Sequence, residues 1–187
     1  MRVLLALIAF TIFAQIEGEL ADPFQIGFEL QTAFNNQILQ EYEAFYAYEN
    51  MAAYFSRPEV GLLGIAKFFR EMANEEIEHA RKFTAFVNRR RGRVILQHIM
   101  PPTETIPEKF DSVKDAVELA LQKELFVGKT INELHLRSAG ANDGHAQQFL
   151  DEFLEEQVDS VNKLRIFLAR LQLGNDAVFL LDQELRK

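Results

Sequence analysis

The amino-acid sequence predicts an all-α protein: a four-helix bundle with one long crossover and a short fifth helix at the C-terminus. Two observations predict it. Four long stretches carry apolar residues in alternating steps of three and four, the spacing that keeps one face of a helix pointing one way. A connection of about 20 residues with three prolines separates the second stretch from the third, and the other connections are short. Bundles with a single crossover have this pattern.

Local signals set the boundaries of the first two helices. The first is expected over about residues 28–55, because the residue before Pro58 avoids the helical conformation. The second is expected over about residues 62–90, with Gly92 as a stop signal. The long crossover then occupies residues 91–110.

Capping residues and turns set the later boundaries. Asp111 and Ser112 are N-cap candidates for the third helix, because their side-chain oxygens can accept hydrogen bonds from the first free N–H groups. Glycine-containing turns then divide the rest of the chain. The third helix is expected to end near Gly140, the fourth to run over about 145–173, and the fifth to follow Gly174-Asn175-Asp176 and end near 186.

Composition bounds the class of protein. The 187 residues suffice for one domain with a full core, and 48% apolar with 26% charged residues is typical of a globular protein. The formal net charge of -8 argues against a nucleic-acid partner, because no basic surface is available to neutralise phosphates. We also expect no membrane partner for the mature protein. The chain has no cysteine, so disulfides cannot hold the fold.

The N-terminus is typical of a signal peptide over residues 1–18. Arg2 precedes an apolar run over residues 3–14, which is shorter than the roughly 20 residues that span a bilayer. Cleavage after Gly18 would leave a mature domain over residues 19–187. The sequence therefore predicts a secreted protein or one in the secretory pathway. The alternative is a buried N-terminal helix.

Polar residues interrupt the apolar face of each long helix near its midpoint. Glu41 interrupts the first, Glu76 and His79 the second, Glu124 the third and Gln157 the fourth. Glu76 and His79 are three residues apart and therefore share a helix face. A buried carboxylate without a partner is costly. Interruptions at four midpoints therefore need a common reason, and a bound pair of cations supplies one.

The residue types indicate which metals fit. Carboxylates with one imidazole suit iron or manganese, and the absence of thiolates disfavours structural zinc. The candidates form two sites that share Glu76: Glu41, Glu76 and His79 in the better furnished site, and Glu76, Glu124 and Gln157 in the poorer one. Di-iron bundles place a second Glu-x-x-His on the fourth helix, where this chain has Gln157 and Ser160. A charge-poor second site favours release of oxidised metal, which suggests that the metal is a substrate.

Tyr48 lies on the same helix face as Glu41, two turns further along. Its phenol is placed to hydrogen-bond a metal ligand or to supply an electron. The alternative is an ordinary core aromatic whose hydroxyl is satisfied.

With these residues the chain resembles ferritin, specifically the heavy-chain, ferroxidase-competent type. The resemblance covers about residues 28–187 and is carried by five segments: 40–48, 74–80, 91–97, 133–135 and 154–158. It implies a ferritin-like fold with a di-iron centre. The ferroxidase ligands that it implies are Glu41, Glu76, His79, Glu124 and Gln157, with Tyr48 beside them.

The resemblance also implies a function and an assembly. Ferritins oxidise Fe(II) to Fe(III) with dioxygen at the di-iron centre and store a ferric oxyhydroxide mineral inside a cage of 24 subunits. The cage would be a homo-oligomer or a co-assembly with another ferritin subunit. The pore positions of the family fall at Gln148 and Asp151, and the mineral-nucleating positions at Glu75 and Glu78, with Arg81 replacing a third acid. The apolar leader adds a resemblance to secreted invertebrate ferritins.

Three other functions stay open at this point. A cytokine-type signalling bundle also has four long helices, but it needs two long crossovers and has no use for buried acids. A di-iron oxygenase or manganese catalase would want a second histidine where Ser160 stands. A storage or transport subunit with a degenerate centre would assemble without oxidising iron.

Overall fold

The computed structural model describes residues 22–101, 106–174 and 176–187. This part of the chain forms five helices: α1 (Phe28–Phe55), α2 (Leu63–Arg89), α3 (Val113–Gly140), α4 (Gly144–Arg170) and α5 (Ala177–Leu185). The four long helices contain 27 or 28 residues each and are therefore about 40 Å long. The predicted all-α bundle with a short C-terminal helix is confirmed.

The helices pack as two hairpins. The most extensive contacts join α1 to α2 and α3 to α4, α1 also packs against α3, and α5 packs against α2. The crossover between α2 and α3 joins the two hairpins, as the sequence predicts. None of the helices in the described ranges combines the length and the apolarity needed to cross a bilayer. The predicted signal peptide, residues 1–18, lies outside the described residues and stays a prediction.

Two aromatic clusters fill the core on either side of the bundle midpoint. In the first, the Phe86 and Phe149 ring centroids are 4.2 Å apart and those of Phe83 and Phe153 are 4.6 Å apart. The second cluster lies towards the opposite end and includes Phe55, Phe68, Phe69, Phe110 and Phe167. The polar residues at the helix midpoints therefore lie between two apolar regions.

The observed helix ends agree with the sequence signals except at two places. Ser112 is the N-cap of α3, and its hydroxyl accepts a hydrogen bond from the Asp115 N–H at 3.1 Å. Helix α4 ends at Arg170, three residues earlier than predicted. After α2 the left-handed residue is Arg91 (φ 55°), not Gly92. Gly92 is needed for a different reason: a Cβ there would lie 2.6 Å from Ile26 Cγ2.

One buried ion pair fastens the end of α2 to the start of α4. The guanidinium of Arg90 donates two hydrogen bonds to the Asp143 carboxylate, at 2.8 and 3.0 Å, and Asp143 also caps α4 by accepting from the Ala146 N–H. Burial raises the pKa of Asp143, but the hydrogen bonds from Arg90 and Ala146 outweigh it, and the net pKa is lowered. Asp143 therefore stays ionised at neutral pH and holds this end of the bundle closed.

A buried carboxylate on α5 caps α2 at the opposite end. Asp182 is 2% exposed, and its Oδ1 accepts hydrogen bonds from the Gly64 and Ile65 N–H groups at 2.7 and 3.1 Å. The N-cap residue of α2, Leu62, provides no side-chain cap of its own. A Cβ on Gly64 would lie 1.9 Å from the Asp182 backbone oxygen, so this contact requires glycine. Helix α5 thus provides the cap that α2 lacks.

We predict that Asp182→Ala lowers the free energy of unfolding by about 1–3 kcal/mol, because two buried N–H groups lose their acceptor. Calorimetric unfolding of the metal-free protein measures the change. The matched control is Glu184→Ala on the same helix, which removes an exposed ion pair to Arg170 and should leave the unfolding temperature nearly unchanged. Equal effects of the two substitutions would contradict the capping role.

Candidate metal centre

The structure brings acidic side chains from α1 and α2 together at the bundle midpoint. Glu41 from α1 and Glu76 and His79 from α2 each offer a ligand atom, and these atoms lie within 4.8 Å of one another. Glu41 is 0% exposed and Glu76 is 4% exposed, whereas the His79 side chain is 18% exposed and forms the outer edge of the group. This is the better furnished of the two predicted sites.

Glu41 has one oxygen satisfied and one free. Its Oε1 accepts a hydrogen bond from Gln37 Nε2 at 2.7 Å, but its enclosed Oε2 has no hydrogen-bond partner among the described residues. Burial raises the pKa of Glu41, and the nearby charge of Glu76 raises it further. Buried polar atoms normally have partners, so a free oxygen beside two other ligand groups fits a bound cation.

Glu76 lies between the two predicted sites. Burial raises its pKa well above the ordinary value, and the charge of Glu124 raises it further. Its Oε2 lies 3.3 Å from His79 Nδ1 on one side. A carboxylate that is close to acids on both sides suits the bridging position between two cations.

Glu124 is held in place by donors from two other helices. The Tyr48 hydroxyl from α1 donates to Glu124 Oε1, and Gln157 Nε2 from α4 donates to the other carboxylate oxygen and, at 2.8 Å, to the Glu124 backbone oxygen. Burial raises the pKa of Tyr48, and the charge of Glu124 raises it further, so the phenol stays protonated and acts as a donor. Tyr48 therefore hydrogen-bonds the candidate ligand Glu124, and its role beside a metal stays a prediction.

The site opens between α2 and α4 into a groove of about 600 Å³. Its walls contain Glu76, His79, Glu124 and Gln157, together with residues that reach solvent: Asn74, Glu75, Glu78, Lys82, Glu156, Asp159, Ser160 and Lys163. The excess of carboxylates at the opening favours the approach of cations. A buried, acidic centre with an acidic opening is suited to a metal that enters and leaves.

The residues predicted to nucleate mineral or to line a pore are exposed. Glu75 and Glu78 lie at the groove opening, and Glu78 pairs with Arg81. Gln148 and Asp151 lie on the surface of α4, where Asp151 Oδ1 is 3.2 Å from His135 Nε2. The roles of Glu75 and Glu78 in nucleation and of Gln148 and Asp151 in a pore stay predictions.

Sequence patterns missed three residues that contact the centre. Gln37 donates a hydrogen bond to Glu41 and lies one helical turn before it. Gln37 is buried, so a polar residue four positions before Glu41 was a signal that the sequence offered. Glu156 contacts His79 Nε2 at 2.8 Å, and Gly128 makes room for Gln157, since a Cβ there would lie 2.7 Å from Gln157 Cγ. The last two contacts are between helices, so no spacing along one helix reveals them.

The comparisons identify the family. A family model described as a ferritin-like domain matches residues 31–174. The chain belongs to the ferritin family. This ferritin is 40% identical over 182 residues to a chloroplastic ferritin-2 of Zea mays, covering 90% of the chain and 72% of the relative. It is 44% identical over 147 residues to a chloroplastic ferritin-1 of Nicotiana tabacum (77% of the chain, 58% of the relative).

An animal relative also matches. The soma ferritin of Lymnaea stagnalis is 37% identical over 145 residues, covering 77% of the chain and 82% of the relative. The ferritin chain spans less than two thirds of the length of several plant relatives, including those from Malus baccata, Nicotiana tabacum and Brassica napus. Because the chain belongs to the ferritin family, the alternative of a cytokine-type signalling bundle is excluded.

The prediction of secretion is wrong. The matched relatives are named as chloroplastic ferritins of plants and as a soma ferritin of a snail, which are not secreted classes. The prediction depended on Arg2, on the short apolar run over residues 3–14 and on a possible cleavage site after Gly18. These features do not set a destination by themselves, because targeting signals are read by receptors that recognise more than charge and hydrophobic character.

We predict that Glu41→Gln stabilises the metal-free protein at neutral pH. The pKa of Glu41 is higher in the folded protein than in the unfolded chain, where it is about 4.3. The folded protein therefore becomes less stable as the pH rises above about 4.3, because Glu41 loses its proton more readily in the unfolded chain. Glutamine removes the buried charge and still accepts from Gln37. Calorimetry at several pH values should show a gain of about 1–3 kcal/mol near pH 7 that shrinks towards pH 4.

The control is Glu49→Gln, an exposed carboxylate on the same helix, which should change stability by under about 0.5 kcal/mol at every pH. A Glu41→Gln protein that is less stable than its parent across the pH range would show that the carboxylate has an internal partner. The variant should also lose the stabilisation that added Co(II) gives the parent, because a ligand is gone.

We predict that Gly128→Ala displaces Gln157 from Glu124. Alanine normally stabilises a helix interior by roughly 0.5–1 kcal/mol relative to glycine, but here the new Cβ collides with a carbon near the base of Gln157. In the parent the substitution should therefore lower stability by about 1 kcal/mol, because the amide loses its acceptors. In a Gln157→Ala background it should stabilise by the usual amount. Stabilisation in both backgrounds would contradict the contact.

Proposed function

We propose that this chain forms a ferroxidase subunit of an iron-storing ferritin, of the heavy-chain type. The observation that carries the proposal is the enclosed Oε2 of Glu41, which meets no nitrogen or hydroxyl donor among the described residues and lies beside Glu76 and His79. Three buried carboxylates at one point of a core are costly without cations, as the raised pKa values of Glu41 and Glu76 indicate, and become favourable when cations bind. The ferritin family, whose members store iron, supplies the identity of the cation.

Each proposed ligand has a distinct task. Glu41 and His79 hold the first Fe(II), Glu76 bridges, and Glu124 with Gln157 holds the second. The three carboxylates carry three negative charges against the four positive charges of two Fe(II) ions, which leaves the ferrous pair close to neutral. Tyr48 and the Gln157 amide keep Glu124 in a fixed orientation through their hydrogen bonds.

Dioxygen is the proposed oxidant. Each Fe(II) gives up one electron, and the two electrons with two protons reduce one dioxygen molecule to hydrogen peroxide. Oxidation adds two positive charges to the pair, and the neutral amide of Gln157 cannot compensate for them as a carboxylate would. The ferric product is therefore held weakly and leaves through the acidic groove. A fixed di-iron cofactor of the oxygenase type would instead use a second histidine, where this chain has Ser160.

The proposed destination of the ferric product is a mineral inside a cage of 24 subunits, built from this chain alone or with another ferritin subunit. Support comes from the family and from α5, which exposes Phe179 and Leu180. In this cage Asp151 and Gln148 would line the iron entry pore, with only Asp151 charged. Glu75 and Glu78, at the mouth of the groove, would receive ferric ions for nucleation.

We predict that Glu76→Ala combined with His79→Ala reduces the initial rate of iron oxidation by at least about tenfold, because the bridging ligand and the imidazole are both lost. Stopped-flow absorbance after addition of two Fe(II) per chain in air measures the rate. The fold should survive, since two polar groups are replaced by small apolar ones.

The matched control is Lys67→Ala combined with Glu71→Ala, which removes an exposed ion pair from the same helix and should leave the rate unchanged. Helicity and assembly size are measured on both double variants. Oxidation by the Glu76/His79 variant at the parent rate would refute the ferroxidase assignment.

A further inference from the structure

The imidazole of His79 contacts a carboxylate on each side. Its Nδ1 lies 3.3 Å from Glu76 Oε2, inside the proposed ligand group, and its Nε2 lies 2.8 Å from Glu156 Oε2 on α4. The ring packs edge-on against Phe153, with centroids 5.3 Å apart and an interplanar angle of 73°. Two polar contacts and one aromatic contact therefore fix the plane of the imidazole.

Glu156 is itself held by a lysine. Its second oxygen, Oε1, lies 3.5 Å from Lys82 Nζ, and the same ammonium lies 3.1 Å from Glu152 Oε1. The ammonium of Lys82 also lies 5.3 Å from the centre of the Phe153 ring. Each oxygen of Glu156 thus has one partner, and Phe153 supports both the imidazole and the lysine.

This arrangement selects one form of the imidazole. A metal-binding histidine is neutral and carries one N–H, so the nitrogen that donates a hydrogen bond cannot bind the metal. In the metal-binding form, Glu156 would accept the hydrogen bond from the Nε2–H group, and the lone pair of Nδ1 would then be directed towards Glu41 and Glu76. Metal-binding histidines commonly have a carboxylate acceptor of this kind.

We propose that Glu156, braced by Lys82, is a positioning residue that orients His79 for metal binding; the inference rests on the proposed metal centre. Exposed ion pairs usually contribute little, and the Lys82–Glu152 contact has that character. Glu156 differs because its acceptor oxygen faces an imidazole that is only 18% exposed and belongs to the ligand group. It acts through His79 and does not itself reach the Glu41–Glu76 side of the ring.

The test uses Co(II), which does not oxidise in air under these conditions and reports its ligands through visible absorption. The full-length, iron-free protein is titrated with Co(II), and the affinity of the centre is compared between variants. Glu156→Leu should weaken binding by about tenfold, because the imidazole loses its acceptor. Glu156→Gln keeps an acceptor oxygen and should recover most of the affinity. Glu152→Leu, one turn away on the same helix, is the matched control and should stay within about twofold of the parent.

A double-mutant cycle separates positioning from a general electrostatic effect. In a His79→Ala background, Glu156→Leu should have no further effect on Co(II) affinity, because the group through which it acts is absent. An equal loss with and without His79 would overturn the proposal, as would unchanged affinity in Glu156→Leu or an equal loss in Glu152→Leu.

Failure of this proposal and failure of the ferroxidase proposal are distinguishable. A parent protein that binds Co(II), shows the Glu156 effect and yet does not accelerate iron oxidation would refute the ferroxidase activity and support the positioning role. If the parent oxidises iron rapidly and Glu156→Leu keeps full Co(II) affinity, the ferroxidase activity is supported and the positioning role of Glu156 is refuted. A parent that binds no Co(II) would overturn both.

Discussion

Three carboxylates buried together at the midpoint of the bundle are the constraint on which the rest of the structure depends. Like charges in a low-dielectric interior repel, and burial alone raises the pKa values of Glu41 and Glu76. The surrounding donors relieve this only in part: Gln37 serves Glu41, and Tyr48 and Gln157 serve Glu124, while one oxygen of Glu41 has no partner in the described structure. The metal-free centre is therefore held at a cost that bound cations can offset.

The fold tolerates that cost because the regions on either side of the centre are well packed. An aromatic cluster lies towards each end of the bundle, and at each end a carboxylate caps a helix. Asp143 caps α4 and binds Arg90 at one end, and Asp182 caps α2 from α5 at the other. These contacts join the helices at both ends of the bundle, on either side of the acidic midpoint. For the proposed metal centre, such preorganisation lowers the cost of binding.

Periodicity was enough to predict the helices and the ligand candidates, because both depend on spacing within one helix. Glu41, Glu76, His79, Glu124 and Gln157 each interrupt an apolar face, and the structure places all of them at the midpoint. Contacts between helices were not predictable in the same way. The links from Glu156 to His79, from Gly128 to Gln157 and from Asp182 to Gly64 depend on the rotation and axial shift of one helix against another. The destination of the chain was mispredicted because a basic residue followed by a short apolar run does not by itself determine which targeting receptor reads the segment.

The most direct test of the account is an anaerobic calorimetric titration of the iron-free protein with Fe(II), repeated in buffers of different protonation enthalpy. The account predicts binding of two Fe(II) per chain with release of protons, because the raised pKa values of Glu41 and Glu76 favour their protonated forms and metal binds the deprotonated carboxylates. Binding of two ions without proton release would contradict the electrostatic account of the centre. The absence of binding at this stoichiometry would contradict the assignment of a metal centre.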